Sequence, residues 1–222
     1  MFVAPIYLYF YPSQLMKLFL TVFLISYSAL FGQKLNFDVM AQYSTSYDHS
    51  IYDRIAYAIT TNDNYVMQII NLPDGPQVAH VYDIKALKEH LFIFTESIDE
   101  NGVKKYKFNY THSLNRVKSP GGAIYFDYIP VSQADSFEIV KLNCYKNKAK
   151  TKLSNSLELK IIKSELNLFR LYRFTCFHIG EFIPELDYKG AGLVTNCVSN
   201  DGKRTDALKA FGEVNFELTI PN

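Results

Sequence analysis

Apolar and polar residues alternate with a period of two along most of the chain that follows residue 33. Between residues 35 and 43, for example, the side chains of Leu35, Phe37, Val39, Ala41 and Tyr43 fall on one face of an extended backbone. The residues between them are mostly polar, and this alternation is typical of a strand that is buried on one face. The pattern therefore predicts antiparallel β-structure.

Turn residues separate ten further segments of this kind. Asn101-Gly102 and Asp201-Gly202 are pairs that adopt positive φ in tight hairpins. The predicted strands lie at 54–60, 65–71, 77–84, 90–97, 103–111, 136–144, 157–162, 169–179, 192–199 and 212–220. Short helices of at most two turns are predicted at 84–89 and 205–211. The predicted fold class is mainly β, with a curved antiparallel sheet in a half-barrel or a sandwich and one or two short helices.

The N-terminal region has a different pattern. Lys17 precedes a run of 13 uncharged, largely apolar residues, and the small residue Gly32 follows. These features are typical of a secretory signal peptide, and the run is short for a membrane span. Residues 1–32 are therefore predicted to be a signal peptide whose true start is Met16, with a retained apolar anchor as the alternative. Residues 33–222 are predicted to form a single antiparallel β domain outside the cytoplasm: periplasmic, outer-membrane associated or secreted, with no membrane span after cleavage.

The charge balance excludes one class of partner. The chain carries 23 Lys and Arg against 22 Asp and Glu, and loss of Lys17 with the signal peptide leaves a neutral domain. We expect no nucleic-acid partner, because a phosphate backbone is bound through positive charge. Four lysines lie at alternate positions and would form a cationic stripe if their segment were extended. They are interpreted as part of a charged edge strand or loop, and the alternative is a patch that binds anionic lipid or polysaccharide. They are Lys146, Lys148, Lys150 and Lys152.

Three cysteines cannot form a disulfide framework. At most one disulfide can join two of Cys144, Cys176 and Cys197, and their spacing matches no zinc pattern. They are interpreted as small buried residues on strands. The single histidines elsewhere are interpreted as partly buried polar residues rather than ligands. These are His49, His80, His90 and His112.

The densest group of reactive side chains lies between residues 174 and 187. On a strand, Cys176 and His178 would share one face, but a metal site needs three or four ligands and only one histidine is local. Pro184 prevents the helix that would align carboxylates on one face. The segment is interpreted as a solvated loop after a strand, with two alternatives: a metal site, or a hydrolase that uses carboxylates. The carboxylates concerned are Glu181, Glu185 and Asp187. No catalytic residue, metal ligand or cofactor is assigned.

Aromatic residues provide the candidate binding site. Tyrosine and phenylalanine are ordinary cross-strand core residues, but apolar residues on both faces of a strand also suit a sheet that wraps around a ligand. Two rows are assigned to such a site, one on the strand at 103–111 and one on the strand predicted at 169–179. The candidate ligand-binding residues are Tyr106, Phe108, Tyr110, Phe169, Leu171 and Phe177.

Two stretches carry a family resemblance. The sequence Leu30-Phe31-Gly32-Gln33, and a tyrosine-rich chain that closes on residues 214–221, resemble exported β-rich proteins of the Bacteroidetes type that have no assigned activity. Some of these are similar in strand order to lipoprotein-carrier (LolA/LolB-like) half-barrels. The resemblance implies a curved sheet around an apolar cavity that holds an acyl chain or another apolar ligand, and no functional residue is transferred from it.

Three classes of function follow as expectations. The first is a non-enzymatic binding module that holds an apolar small molecule or lipid on the concave face of the sheet. The alternative is a structural or interaction protein of the cell envelope, with an envelope protein as its partner and a solid, ligand-free core. The carboxylate-dependent hydrolase is the second alternative.

Overall fold

A computed structural model describes residues 32–70, 76–102, 104–116, 125–176 and 191–221, together with Lys17, Leu186 and Tyr188. The predicted signal peptide lies outside the described residues except for Lys17 and Gly32. Contacts divide the chain into two units, residues 1–34 with 219–222, and residues 35–218. The second unit contains the candidate site and all of the sheet except residues 33–34 and 219–220.

The mainly β, antiparallel fold class is confirmed. Eleven described strands form one curved sheet that does not close, in the order β6, β5, β4, β3, β2, β1, β11, β10, β9, β8, β7. The strands are β1 Gln33–Tyr47, β2 Ser50–Ile59, β3 Asn62–Ile70, β4 Gln77–Asp83, β5 Lys88–Ile98, β6 Lys104–Asn115, β7 Tyr125–Gln133, β8 Phe137–Tyr145, β9 Leu153–Lys163, β10 Gly192–Ser199 and β11 Arg204–Ile220. Strands that are neighbours in sequence pair with each other, except β6 and β7, which lie at the two edges of the sheet, while β1 and β11 join its two halves. The turn glycines Gly102 and Gly202 have φ of 78° and 70°, as the hairpin signals predict.

Burial follows the alternation of the sequence. In β1 every second residue from Leu35 to Thr45 is buried, and the residues between them are at least partly exposed. The register pairs Ala41 with Ala56 and Met40 with Tyr57, so these two pairs lie on opposite faces of the sheet.

A short helix, α1 Phe169–Cys176, covers one face of the sheet. All of its residues are buried, and its aromatic rings pack against strands on both halves. The ring of Phe174 lies 4.9 Å from that of Tyr82 on β4, and the ring of Tyr172 lies 5.7 Å from that of Tyr43 on β1. We call the face of the sheet that α1 covers the helix-side face. Within the described residues, no helix is long and apolar enough to cross a membrane.

The strand predicted at 169–179 is wrong, because residues 169–176 form α1. Arginines from distant strands satisfy its last carbonyls: Arg54 donates to the carbonyl of Thr175 at 2.6 Å, and Arg204 donates to that of Cys176. The buried Arg170 of α1 in turn donates to the carbonyl of Ile59 at 2.6 Å. These contacts span 28 to 121 positions and favour the helix, and the local pattern does not contain them.

Other local predictions also differ from the structure. Both predicted helices are wrong: residues 84–87 form a turn and β5 begins at Lys88, while residues 205–211 belong to β11. Strand β7 was not predicted. The lysine segment is a turn in which the Lys146 amide donates to the Lys152 carbonyl at 2.9 Å. No extended cationic stripe forms there.

Candidate functional site

The face opposite α1 carries a row of aromatic side chains on the β5–β6 hairpin. Phe94 pairs with Phe108, and Phe92 pairs with Tyr110. Their rings lie 5.1 Å and 5.4 Å apart, in tilted and edge-on arrangements that aromatic pairs prefer. The register carries this face across the sheet to Tyr57 and Met40. We call it the aromatic face.

The sheet bends until two distant strands meet across this face. The ring of Phe108 on β6 stacks on the ring of Phe216 on β11, with 5.6 Å between centroids and 12° between planes. Five strands lie between β6 and β11 in the sheet order. In a flat sheet, six spacings of about 4.8 Å would separate these strands by roughly 29 Å. The contact therefore requires strong curvature of this half of the sheet.

The curvature leaves an open cleft of about 430 Å³. Phe216 lies at its centre, where its ring also contacts the rings of Tyr57 at 5.1 Å and Tyr106 at 6.3 Å. The cleft is lined by Met40, Tyr57, Tyr106, Phe108, Val214, Asn215, Phe216 and Glu217. We call it the aromatic cleft. Its lining combines aromatic rings with polar groups, and Asn215 and Glu217 are among the lining residues.

The hydroxyl of Tyr57 stays protonated in this environment. Burial raises the pKa of Tyr57 to about 12, and the charges of Tyr106 and Glu96 act in the same direction. The cleft can thus offer a neutral hydroxyl beside its apolar walls, which suits a ligand with an apolar body and a small polar group.

The structure separates the six predicted ligand-binding residues. Tyr106 and Phe108 line the aromatic cleft. Tyr110 lies further along β6, where its ring contacts Phe92. Phe169 and Leu171 are buried in α1, and the Phe169 ring packs 6.0 Å from that of Tyr128. Phe177 lies outside the described residues.

Sequence reasoning missed six of the eight residues that line the cleft. Tyr57 and Phe216 were placed on predicted strands but were not assigned to the site. In β11, Val214 and Phe216 alternate with Asn215 and Glu217, and that alternation indicates an aromatic face. The sequence contains no local signal that this face meets β6.

The other candidate chemistry receives little support from the described residues. Cys144, Cys176 and Cys197 are buried and form no disulfide with one another, although Cys176 lies on α1 rather than on a strand. Burial raises the pKa of each thiol to about 12, so the thiols are poor nucleophiles. His178 and the carboxylates of the hydrolase hypothesis lie outside the described residues, and the described residues contain no cluster of three metal-ligating side chains.

Comparisons with known proteins give no family. No family model matches the chain, and no curated protein matches it. A solved structure of PNGF-II in a C2 space group is similar with a TM-score of 0.39 and 15% identity over 80% of this chain. This chain spans 28% of the length of that one. A likeness at this level carries no argument about function.

Proposed function

We propose that this protein is an exported binding module that holds an apolar or lipid-like ligand in the aromatic cleft. The observation that carries the proposal is the cleft itself, about 430 Å³ in volume and walled by Tyr57, Tyr106, Phe108 and Phe216. This volume lies within the roughly 300–1,000 Å³ of typical ligand pockets. Lys17 and the apolar run after it support the export part of the proposal.

The ligand would contact aromatic rings on three strands, β2, β6 and β11. A tilted or stacked aromatic wall offers large apolar area, and burial of apolar ligand surface is favourable by about 25 cal/mol per Å². Asn215 and Glu217 also line the cleft, so polar groups are present beside the rings. Such an arrangement suits an amphiphile whose apolar part is enclosed.

The test begins with the protein expressed from its full sequence in a bacterial host that exports it. Organic extracts of the purified protein are analysed by mass spectrometry for lipids and small molecules. We expect an apolar compound near one per chain. A stable protein without any such compound would contradict the proposal and favour the alternative, a structural or interaction protein of the cell envelope.

Two variants of β11 test whether the ligand lies in the aromatic cleft. Phe216→Ala removes the central ring of the aromatic cleft, and we expect at least a tenfold loss of bound ligand because the main contact area disappears. Phe211→Ala is the matched control, since Phe211 is also on β11 but is 44% exposed and does not line the cleft. Equal ligand content in both variants would place the ligand elsewhere.

A further inference from the structure

A second group of side chains converges on the aromatic face at the other end of β6. Ser113 on β6 pairs with His90 on β5, and the Ser113 Oγ lies 2.6 Å from the His90 Nδ1. The hydroxyl of Tyr110 lies 2.8 Å from the same Oγ. His90 is 7% exposed, whereas Ser113 is exposed. A serine hydroxyl therefore lies open to solvent against a buried imidazole.

A β-bulge brings these three groups together. Residues 110 and 113 would lie on opposite faces of a regular strand, because they are three positions apart. The register shifts between Leu91 and Phe92, which leaves Thr111 without a cross-strand partner. Thr111 Oγ1 donates to the Leu91 carbonyl at 2.8 Å and so fixes the bulge. Bulges commonly redirect side chains next to functional sites.

The hydrogen-bonding pattern between β5 and β6 explains why the side chains of Ser113 and His90 are so close. The amide of Arg116 donates to the carbonyl of Leu87 at 2.7 Å, so residues 116 and 87 form a hydrogen-bonded pair. Pairs alternate along an antiparallel ladder, which makes Ser113 and His90 a non-hydrogen-bonded pair with closer side chains. The same alternation turns the Ser113 backbone N–H away from β5. That side is the outer edge of the sheet, where the described residues place no further strand.

We propose that Ser113 is a nucleophile, activated by His90, that takes the acyl group from a carboxylic ester with an apolar acyl chain. Ser113 Oγ attacks the ester carbonyl carbon, and its proton passes to His90 Nδ1. The tetrahedral oxyanion accepts a hydrogen bond from the Ser113 backbone N–H at the sheet edge. The bond to the alcohol oxygen then breaks, and His90 returns the proton to that oxygen. Water hydrolyses the acyl-serine by the same steps and releases the acid.

The surroundings fit these roles. Burial lowers the pKa of His90, so the imidazole is neutral and able to accept a proton. The charge of Asp83 raises the pKa of His90 and favours the imidazolium, whereas the charge of Lys88 lowers this pKa as burial does. The rings of Tyr110 and Phe92, 5.4 Å apart, provide apolar surface next to Ser113 for the acyl chain. The proposal stands on these residues and does not depend on occupancy of the aromatic cleft.

The first test uses a fluorophosphonate probe on the full-length protein. We expect one adduct per chain, mapped to Ser113 by peptide mass spectrometry, and no adduct at this position in Ser113→Ala. Ser97→Ala is the matched control, because Ser97 is an exposed serine of β5 that pairs with Lys105. A wild-type protein that stays unlabelled, or equal labelling of Ser113→Ala, would overturn the proposal.

The role of His90 needs its own variant. His90→Asn keeps an amide nitrogen near the position of Nδ1 but removes the base, and we expect labelling to slow by about 100-fold, as for loss of a general base. Unchanged labelling of a folded His90→Asn protein would exclude His90 as the base. Circular dichroism and thermal unfolding show whether the variant is folded.

A second pair of variants leaves His90 in place. Ser113→Cys and Ser97→Cys are compared by their rates of alkylation with iodoacetamide at pH 7. A neighbouring imidazole promotes thiolate formation, so we expect Ser113→Cys to react about tenfold faster or more. The three natural thiols contribute little background, since burial raises their pKa to about 12. Equal rates for the two variants would refute activation by His90 even if His90→Asn failed to fold.

Discussion

Glu89 shows how a single buried charge is held in this sheet. Its side chain is 1% exposed on the helix-side face of β5, where it accepts hydrogen bonds from His80, at 2.5 Å, and from Arg116. Burial alone would raise the pKa of Glu89, but the hydrogen bonds and charges of His80 and Arg116 hold it below its usual value. The carboxylate is therefore stabilising only while it is ionised.

We predict that Glu89→Gln lowers the free energy of unfolding by about 2 kcal/mol at pH 7, the typical loss for hydrogen bonds to a charged group. A lowered pKa in the folded state adds stability that is present above the unfolded-state pKa of Glu89 and is lost as the pH falls through the folded-state value. The difference between wild type and variant should therefore shrink below about pH 4.5. Urea unfolding of the wild type and the variant at pH 7 and pH 3.5 measures this difference in the free energy of unfolding.

Glu100→Gln is the control for this experiment, because Glu100 is exposed in the turn between β5 and β6. It should change the free energy of unfolding by less than about 0.5 kcal/mol. An equal loss in Glu89→Gln at both pH values would mean that the carboxylate charge is not the stabilising feature.

At the scale of the elements, close packing between strands leaves no room for a side chain at one glycine. A Cβ at Gly192, the first residue of β10, would lie 2.6 Å from Ile161 Cγ2 and 2.7 Å from the carbonyl oxygen of Ile162. Both contacts belong to β9, which pairs with β10 at this point. A side chain here would push the two strands apart, whereas a Cβ at Gly212 on β11 meets no atom within 4 Å.

Gly192→Ala is predicted to lower the free energy of unfolding by about 1–3 kcal/mol, the usual cost of overpacking. Gly212→Ala should be neutral or should stabilise the protein by a few tenths of a kcal/mol, because alanine restricts the unfolded chain. Thermal unfolding of the two variants side by side gives the comparison. Equal behaviour of the two would show that β9 and β10 relax around the new methyl group.

The elements also show what a sequence can predict. Strand β1 was predictable because its alternation is local and each buried position can be counted along the chain. Helix α1 was not, because Arg54 and Arg204 satisfy its final carbonyls from strands more than 25 positions away. Tyr110 and Ser113 converge because of the bulge at Thr111. Simple alternation would place these two side chains on opposite faces of the strand. Local periodicity predicts strands, whereas long-range hydrogen bonds and register shifts determine where their side chains meet.

At the scale of the whole 35–218 unit, curvature creates the candidate site. Phe108 and Phe216 are 108 positions apart in sequence and have five strands between them in the sheet order, yet their rings stack at 5.6 Å. Hydrogen bonding between neighbouring strands does not by itself bring β6 to β11. The same ring contacts therefore accompany the curvature of the sheet and form the walls of the aromatic cleft.

The contact between Phe108 and Phe216 predicts an energetic coupling between two strands that do not pair. In a double-mutant cycle with Phe108→Ala and Phe216→Ala, the sum of the single losses in stability should differ from the loss in the double variant by about 1 kcal/mol, as for aromatic pairs in contact. Phe108→Ala with Phe211→Ala is the control cycle and should be additive, since Phe211 is exposed elsewhere on β11. In a flatter sheet Phe108 and Phe216 would not touch, so additivity in both cycles would contradict the curvature and remove the basis of the aromatic cleft.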